Sequence, residues 1–210
     1  MTTTFFLLRH AAHDTVGSVL AGRSAGVHLG EAGRAQAKRL GQRMARERFD
    51  AILASPRERT RQTADAVAEA CGGMAVQTTD ALDEVDFGTW SGKALETLDA
   101  DPLWRKWNTA RSLTRAPGGE TMLDVQRRVL GLIEELDARH TGGAVVLISH
   151  GDVIKAVVTH VLGLPIDAWP RFDIDPASLT TIVVGDWGAK LLTLNETVSQ
   201  TQTEKPGQGS

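Results

Sequence analysis

Two apolar runs in this chain each end on a histidine. Phe5-Phe6-Leu7-Leu8 leads straight into Arg9-His10, and Ala144-Val145-Val146-Leu147-Ile148 leads into Ser149-His150-Gly151-Asp152. Short apolar runs of this kind read as buried strands. Each would then deliver an imidazole at a strand's C-terminal tip, where open α/β sheets bind their ligands. A third run, Ala51-Ile52-Leu53-Ala54, ends on Ser55 and is followed by Arg57, Arg59 and Arg61. Pooled, these tips offer two imidazoles and several permanent guanidinium charges. Guanidinium forks match the oxygens of phosphate, and two of the segments lead into helices, whose free N–H groups favour anions. The guest that fits is a dianionic phosphoryl group. Which of Arg57, Arg59 and Arg61 faces it is not decided by composition, because at most one or two of three alternating positions at a helix start point the same way.

The elements that must hold these tips alternate. A strand is expected over residues 3–8, then a Gly/Ser/Ala-rich loop over 14–29. An amphipathic helix follows from Glu31 to Arg48, with Ala35, Leu40, Met44 and Ala45 among Arg, Lys and Gln. After strand 51–54, Ser55 as N-cap and Pro56 at the first position open a helix through Ala70, closed by Gly72-Gly73. A strand over 75–79 precedes an irregular stretch from Leu82 to Trp107 that carries Trp90, Trp104 and Trp107. Its tryptophans suit core or lid packing, or an apolar wall selecting a hydrophobic leaving group. Pro117-Gly118-Gly119 is a turn, and Val125, Val129, Leu132, Ile133 and Leu136 mark one face of a helix over 121–139. Strand 144–149, a helix over 152–162 and strands over 179–184 and 189–194 joined at Asp186-Trp187-Gly188 complete the series. This alternation predicts an α/β three-layer sandwich: a mostly parallel central sheet flanked by helices, with one antiparallel pair at the end. A single domain is expected over 1–196, with about 82–120 as a small helical lid or insertion over the site. Residues 197–210, without apolar period, are expected to be a disordered tail.

Composition excludes several roles. The chain has 210 residues, 41% of them hydrophobic, and a formal net charge of -3, with no basic stripe, which argues against a nucleic-acid partner. One cysteine, Cys71, rules out an internal disulfide framework and reads as packing. The first apolar run is too short for a secretory signal, and nothing approaches the ~20 apolar residues of a membrane span. The expectation is a cytoplasmic protein, monomer or homodimer, with no membrane partner. His10 and His13 have no further ligand cluster beside them, so no metal and no cofactor are expected.

Five segments in order resemble the histidine phosphatase superfamily, whose members include cofactor-dependent phosphoglycerate mutases. Leu7-Leu8-Arg9-His10 is similar to its "RHG" strand end, and Ser55-Pro56-Arg57-Glu58-Arg59-Thr60-Arg61-Gln62-Thr63-Ala64 to its "SPxxRAxQTA" segment. Leu82-Asp83-Glu84-Val85-Asp86-Phe87-Gly88-Thr89-Trp90-Ser91-Gly92 is similar to "LxExxFGxWEG", Pro117-Gly118-Gly119-Glu120-Thr121 to "PGGES", and Ile148-Ser149-His150-Gly151 to the second histidine segment. The resemblance implies that His10 attacks phosphorus, that Arg9, Arg59 and His150 hold the three equatorial oxygens, and that Glu84 is the general acid. It also departs in places. Ala11 stands where the family has Gly, His13 where it often has Ser or Thr, and Val16 where it often has Asn. His13 is expected to line the pocket and to strengthen phosphate binding at mildly acidic pH. Arg23 matches a loop that often reaches substrate, and Gly151 is expected to lie against it.

The implied activity is metal-independent hydrolysis of a small phosphorylated metabolite through a phosphohistidine. A phosphoglycerate-type mutase is the alternative among enzymes, and a non-catalytic phosphate-binding protein the alternative outside them. The stretch between Glu84 and Gly118 is compact beside the enclosing segments of the longer mutases in the family, which favours the phosphatase.

Overall fold

The computed structural model describes residues 1–198; most of the expected tail, 199–210, lies outside the described residues. Among these, the strands β1 (Thr2–Arg9), β2 (Ala51–Ala54), β3 (Val76–Thr78), β4 (Ala144–Ser149), β5 (Leu179–Gly185) and β6 (Gly188–Glu196) form one sheet in the order β3-β2-β4-β1-β5-β6. The first four strands are mutually parallel, and β5 runs antiparallel to β1 and to β6. The α/β class, the parallel centre and the terminal antiparallel hairpin are as the sequence predicts.

Alternation along β1 divides the core. Phe5 and Leu7 point to one face, with Leu53, Val145 and Leu147. Helices α5 (Met122–Arg139) and α6 (Gly151–Val161) cover that face through residues such as Val129, Ile133, Val153 and Val157. Phe6 and Leu8 point to the other, with Ile52, Val146 and Ile148, under α1 (Glu31–Met44) and α2 (Glu58–Ala70). Both faces of the central strands are therefore apolar, which is why they read as continuous runs rather than alternating ones. Helix α5 starts on a capping box, in which Thr121 and Asp124 satisfy each other's backbone N–H.

Helix α2 departs from expectation: it starts at Glu58, with Arg57 as its N-cap and no side-chain cap. Ser55 is not that cap because its hydroxyl turns to the sheet's edge and donates to Asp83 Oδ1 at 3.2 Å. Helix α1 ends at Met44, short of the expected Arg48. The irregular stretch contains two short helices, α3 (Leu95–Asp99) and α4 (Pro102–Thr109). They gather Trp90, Trp104 and Trp107 into edge-on contacts with one another and with Phe87. All three indoles are buried and belong to the same core as Phe5, Leu7 and α5, so they present no wall to a ligand.

The register aligns the tips. Arg9 pairs with Ser149, and Ala54 with Ile148. From β1 the chain crosses through α1 to β2, on one side; from β4 it crosses through α6 to β5, on the other. The crevice between β1 and β4 is thus the point where the winding reverses, and His10 and His150 are the first residues past it.

Candidate active site

His10 is held from both sides of its backbone: its N–H donates to Ser149 O at 3.0 Å, and its carbonyl accepts from Ala177 N at 3.2 Å. Its ring Nδ1 lies 2.8 Å from Ala11 O. A carbonyl only accepts, so Nδ1 carries the proton and Nε2 keeps its lone pair in the neutral ring. That nitrogen faces Arg59 Nε at 3.2 Å. Burial, then the Arg59 and Arg9 charges, hold the His10 pKa well below its ordinary value. The ring is therefore neutral, and Nε2 is the nitrogen that keeps a lone pair.

The second imidazole is set by a relay. Ser55 Oγ donates to the buried Asp83 carboxylate and so accepts from His150 Nε2, 2.8 Å away. Asp83 is also 3.0 Å from Arg57 Nε. This fixes the proton of neutral His150 on Nε2 and turns Nδ1 toward the site, 3.1 Å from Arg59 Nη2 and 3.5 Å from Glu84 Oε2. The two imidazole centroids are 5.2 Å apart, and burial with Arg59 lowers the His150 pKa well below the usual range. Glu84 accepts from Val85 N through Oε1. Its burial, reinforced by the Asp152 carboxylate and opposed by Arg59, pushes the carboxyl up to about 7.

Arg59, buried, and Arg9, half-buried, each keep a buried N–H group without a partner among the described residues. Arg59 is 1% exposed, gives Nη2 to Gly22 O at 2.8 Å, and leaves Nη1 without a protein partner among the described residues. Arg9 donates Nη1 to Ile174 O and leaves Nε unpartnered. A buried N–H without an acceptor is costly, and buried positive charge beside neutral rings more so; an arriving phosphoryl dianion satisfies both. Gly151 opens α6 directly over Arg9, where a Cβ would sit 3.4 Å from Nε.

Comparison with known proteins gives the family. The sequence profile described as histidine phosphatase superfamily (branch 1) matches residues 5–197. The chain belongs to the histidine phosphatase superfamily. It is similar to phosphoserine phosphatase 1 of Hydrogenobacter thermophilus, 35% identical over 171 residues that cover 80% of this chain and 81% of that protein. The solved structure of a mycobacterial glucosyl-3-phosphoglycerate phosphatase superposes with a TM-score of 0.84 at 28% identity, covering 94% of this chain and all of that one. The Yersinia pestis protein named "Probable phosphoglycerate mutase GpmB" is 30% identical over 156 residues, 73% of this chain and 72% of that protein. With such relatives, this histidine phosphatase is an enzyme of the phosphomonoesterase type.

The departures of this histidine phosphatase from the family pattern have separate structural outcomes. Ala11 keeps a negative φ and packs its methyl group into the core beneath α1 and α2, so the site does not depend on a glycine there. His13 stands beside His10, its ring centroid 5.8 Å from that of His10 and its Nδ1 3.0 Å from Thr15 Oγ1. Burial, then Arg59 and Arg9, lower it to about 4. The expected acid-strengthened phosphate binding therefore cannot come from a charge already present on this ring; it would require proton uptake together with the ligand. Val16 is exposed and supplies no amide.

Arg23 sits in a network of backbone and carboxylate acceptors. Its guanidinium donates to Glu84 O and to Glu120 Oε2, and lies within 3.4 Å of Asp83 Oδ2. It ties the first loop to the Asp83–Asp86 segment and shows no donor turned to the imidazoles. Three contributors were not assigned a site role from sequence: Ser55, which reads as a helix cap; Asp83, whose only signal is adjacency to Glu84; and the 173–178 loop. That loop accepts from Arg9 and includes Ala177 at φ +56°, a left-handed conformation rare for alanine. Nothing in its composition marks it.

Proposed function

We propose that this protein hydrolyses small phosphomonoesters, without a metal, through a phosphohistidine on His10. The observation that carries the reading is the His10 Nε2 lone pair, its proton fixed on the other nitrogen, sitting between Arg59 and the second imidazole. Nε2 attacks phosphorus in line with the ester oxygen. The N–P bond forms, the P–O bond breaks, and Glu84 gives its proton to the departing alkoxide. Arg9, Arg59 and His150 hold the equatorial oxygens, which carry the charge of a loose transition state, so that positioning supplies most of the acceleration. For His150 to donate through Nδ1 it must carry a second proton, which the dianion stabilises and the Ser55–Asp83 relay accommodates. Ionised Glu84 then takes a proton from water, whose oxygen attacks the phosphohistidine and releases inorganic phosphate and neutral His10. A carboxyl near pH 7 suits both halves of this cycle.

A small metabolite is favoured as substrate because the phosphatase-named relatives act on phosphoserine and on glucosyl-3-phosphoglycerate by their names. Cytoplasmic residence as a monomer or homodimer belongs to the same reading; among the described residues no helix is long and apolar enough to cross a membrane. The test is rapid-quench labelling with a 32P-labelled ester, paired with p-nitrophenyl phosphate turnover. An acid-labile adduct on the wild type that is absent from His10→Ala, with turnover lost, is the expected result. Turnover without any adduct would sink the covalent route. The mutase-named relative favours isomerisation as a second reading. Incubation with 3-phosphoglycerate and a bisphosphorylated primer, scored for isomer against free phosphate, separates the two.

A further inference from the structure

A cavity of about 240 Å³ adjoins the site through Arg9 and Glu84, and Asp152, Lys155, Asp173 and Asp175 are also in its lining. Under the proposed function, on which this inference rests, Glu84 protonates the departing oxygen, so the departing alcohol lies in the space that Glu84 lines. Some of the charges around that space have partners. Asp152 pairs with Arg111 at 2.8 Å, and Asp175 Oδ2 accepts from Asn195 Nδ2 at 2.9 Å. Arg9 is turned to the phosphoryl group, and Glu84 is protonated for its step. Lys155 is left as a cation without an ion pair, facing the exposed Asp173 and Asp175, whose charge the neutral Asn195 amide does not cancel. Lys155, half-buried on α6, gives one N–H to Trp169 O at 3.0 Å and is steadied over the rings of Trp169 and Phe172. Among the described residues, its other N–H groups have no acceptor, Asp173 has no side-chain partner, and the two do not form an ion pair.

We propose that Lys155 and Asp173 form the subsite for the leaving alcohol, Lys155 reading a carboxylate and Asp173 an ammonium group, so that the preferred substrate is a small O-phosphorylated hydroxy amino acid. Opposite charges that share a cavity without pairing complement a zwitterion, and a binding site built for polar groups rejects analogues that leave them unpaired. An alcohol of a few heavy atoms fits the volume, whereas the small acidic excess disfavours a leaving group with several negative charges.

The test measures phosphate release by the full-length protein from four esters, each kcat/KM divided by that for p-nitrophenyl phosphate so that folded fraction cancels. The esters are O-phosphoserine (both groups), 3-phosphoglycerate (carboxylate only), O-phosphoethanolamine (ammonium only) and glycerol 3-phosphate (neither). The wild type is expected to favour O-phosphoserine over glycerol 3-phosphate by about tenfold or more. Lys155→Met lowers the ratio about tenfold for the two carboxylate esters, Lys155→Arg restores most of it, and Asp173→Asn lowers it for the two ammonium esters. Ratios that shift for glycerol 3-phosphate as much as for the others, or that shift for none, overturn the subsite while leaving the hydrolase reading intact. A wild type that releases phosphate from no ester, p-nitrophenyl phosphate included, overturns the hydrolase reading, and the subsite with it.

Discussion

At the scale of single residues, the site works by deciding where protons sit. Ala11 O fixes one on His10 Nδ1 and the Ser55–Asp83 pair fixes one on His150 Nε2. Glu84→Gln keeps the shape but removes the transferable proton. Turnover of alkyl phosphates should fall by about 10²–10⁴-fold, and that of p-nitrophenyl phosphate, whose leaving group needs little protonation, far less. Equal losses on both would contradict the acid assignment. In the wild type the protonated form of Glu84 dominates below about 7, so kcat/KM for alkyl esters should decline above that pH and the decline should vanish in the glutamine variant. Ser55→Ala strips the acceptor from His150 Nε2. An orphaned buried donor costs about 1–3 kcal/mol, so kcat/KM should fall about tenfold, with phosphate inhibition weakened in parallel. Unchanged kinetics would show that His150 needs no relay.

The scale of elements explains why these residues meet. Parallel pairing of β4 with both β1 and β2 brings three tips to one edge, and the helices that follow β2 and β4 point their N-termini back toward it. One contact of α1 matters to the loop that follows His10. A Cβ on Gly33 would lie 1.8 Å from Ala12 O, two residues beyond His10. In an exposed helix interior alanine outranks glycine by about 1 kcal/mol; here the backbone of the loop after His10 occupies the space. Gly33→Ala should therefore destabilise by about 1–3 kcal/mol and lower p-nitrophenyl phosphate turnover together, read by thermal melting and kinetics. A variant that is more stable and fully active would show that the loop can yield. These close approaches are not legible from a helical period, which places Gly33 on α1 without saying what lies opposite.

At the scale of the whole molecule, burial moves the ionisable groups of the site away from their ordinary protonation. His10 and His150 are held well below their ordinary pKa and His13 at about 4, whereas Glu84 is raised to about 7. Between about pH 4.5 and 6.5 the unfolded chain protonates three imidazoles that the native state leaves neutral, and releases one proton, from Glu84, that the native state keeps. For these four groups the unfolded state thus binds about two more protons, so stability should rise with pH across this window. Above it the imidazole contribution levels off and the Glu84 penalty is complete near 7. Chemical denaturation in steps across this range checks the slope. Added phosphate should raise stability by mass action, and His10→Ala should flatten the acid limb by about one proton.

The order of strands and helices, the apolar centre of the sheet and the two imidazoles at strand tips were legible in the chain itself, because periodicity and run length are local and a parallel sheet buried on both faces leaves a plain signature. Glu84 and Arg59 were reached through resemblance in ordered motifs, since composition leaves three arginines equivalent. What required the tertiary structure was everything set by approach across long sequence separations. Ser55 is a helix cap by local rule and an imidazole anchor by its position 95 residues from His150. Arg23 is reached through resemblance to a family loop, and its place in an ion network with Glu120 and Asp83 comes from what surrounds it. The 173–178 loop has no pattern of its own and is placed by β5 against β1. Local preferences act within a turn or a strand; proton positions, displaced pKa values and opposed charges across a cavity depend on which distant groups the fold brings within a few ångströms.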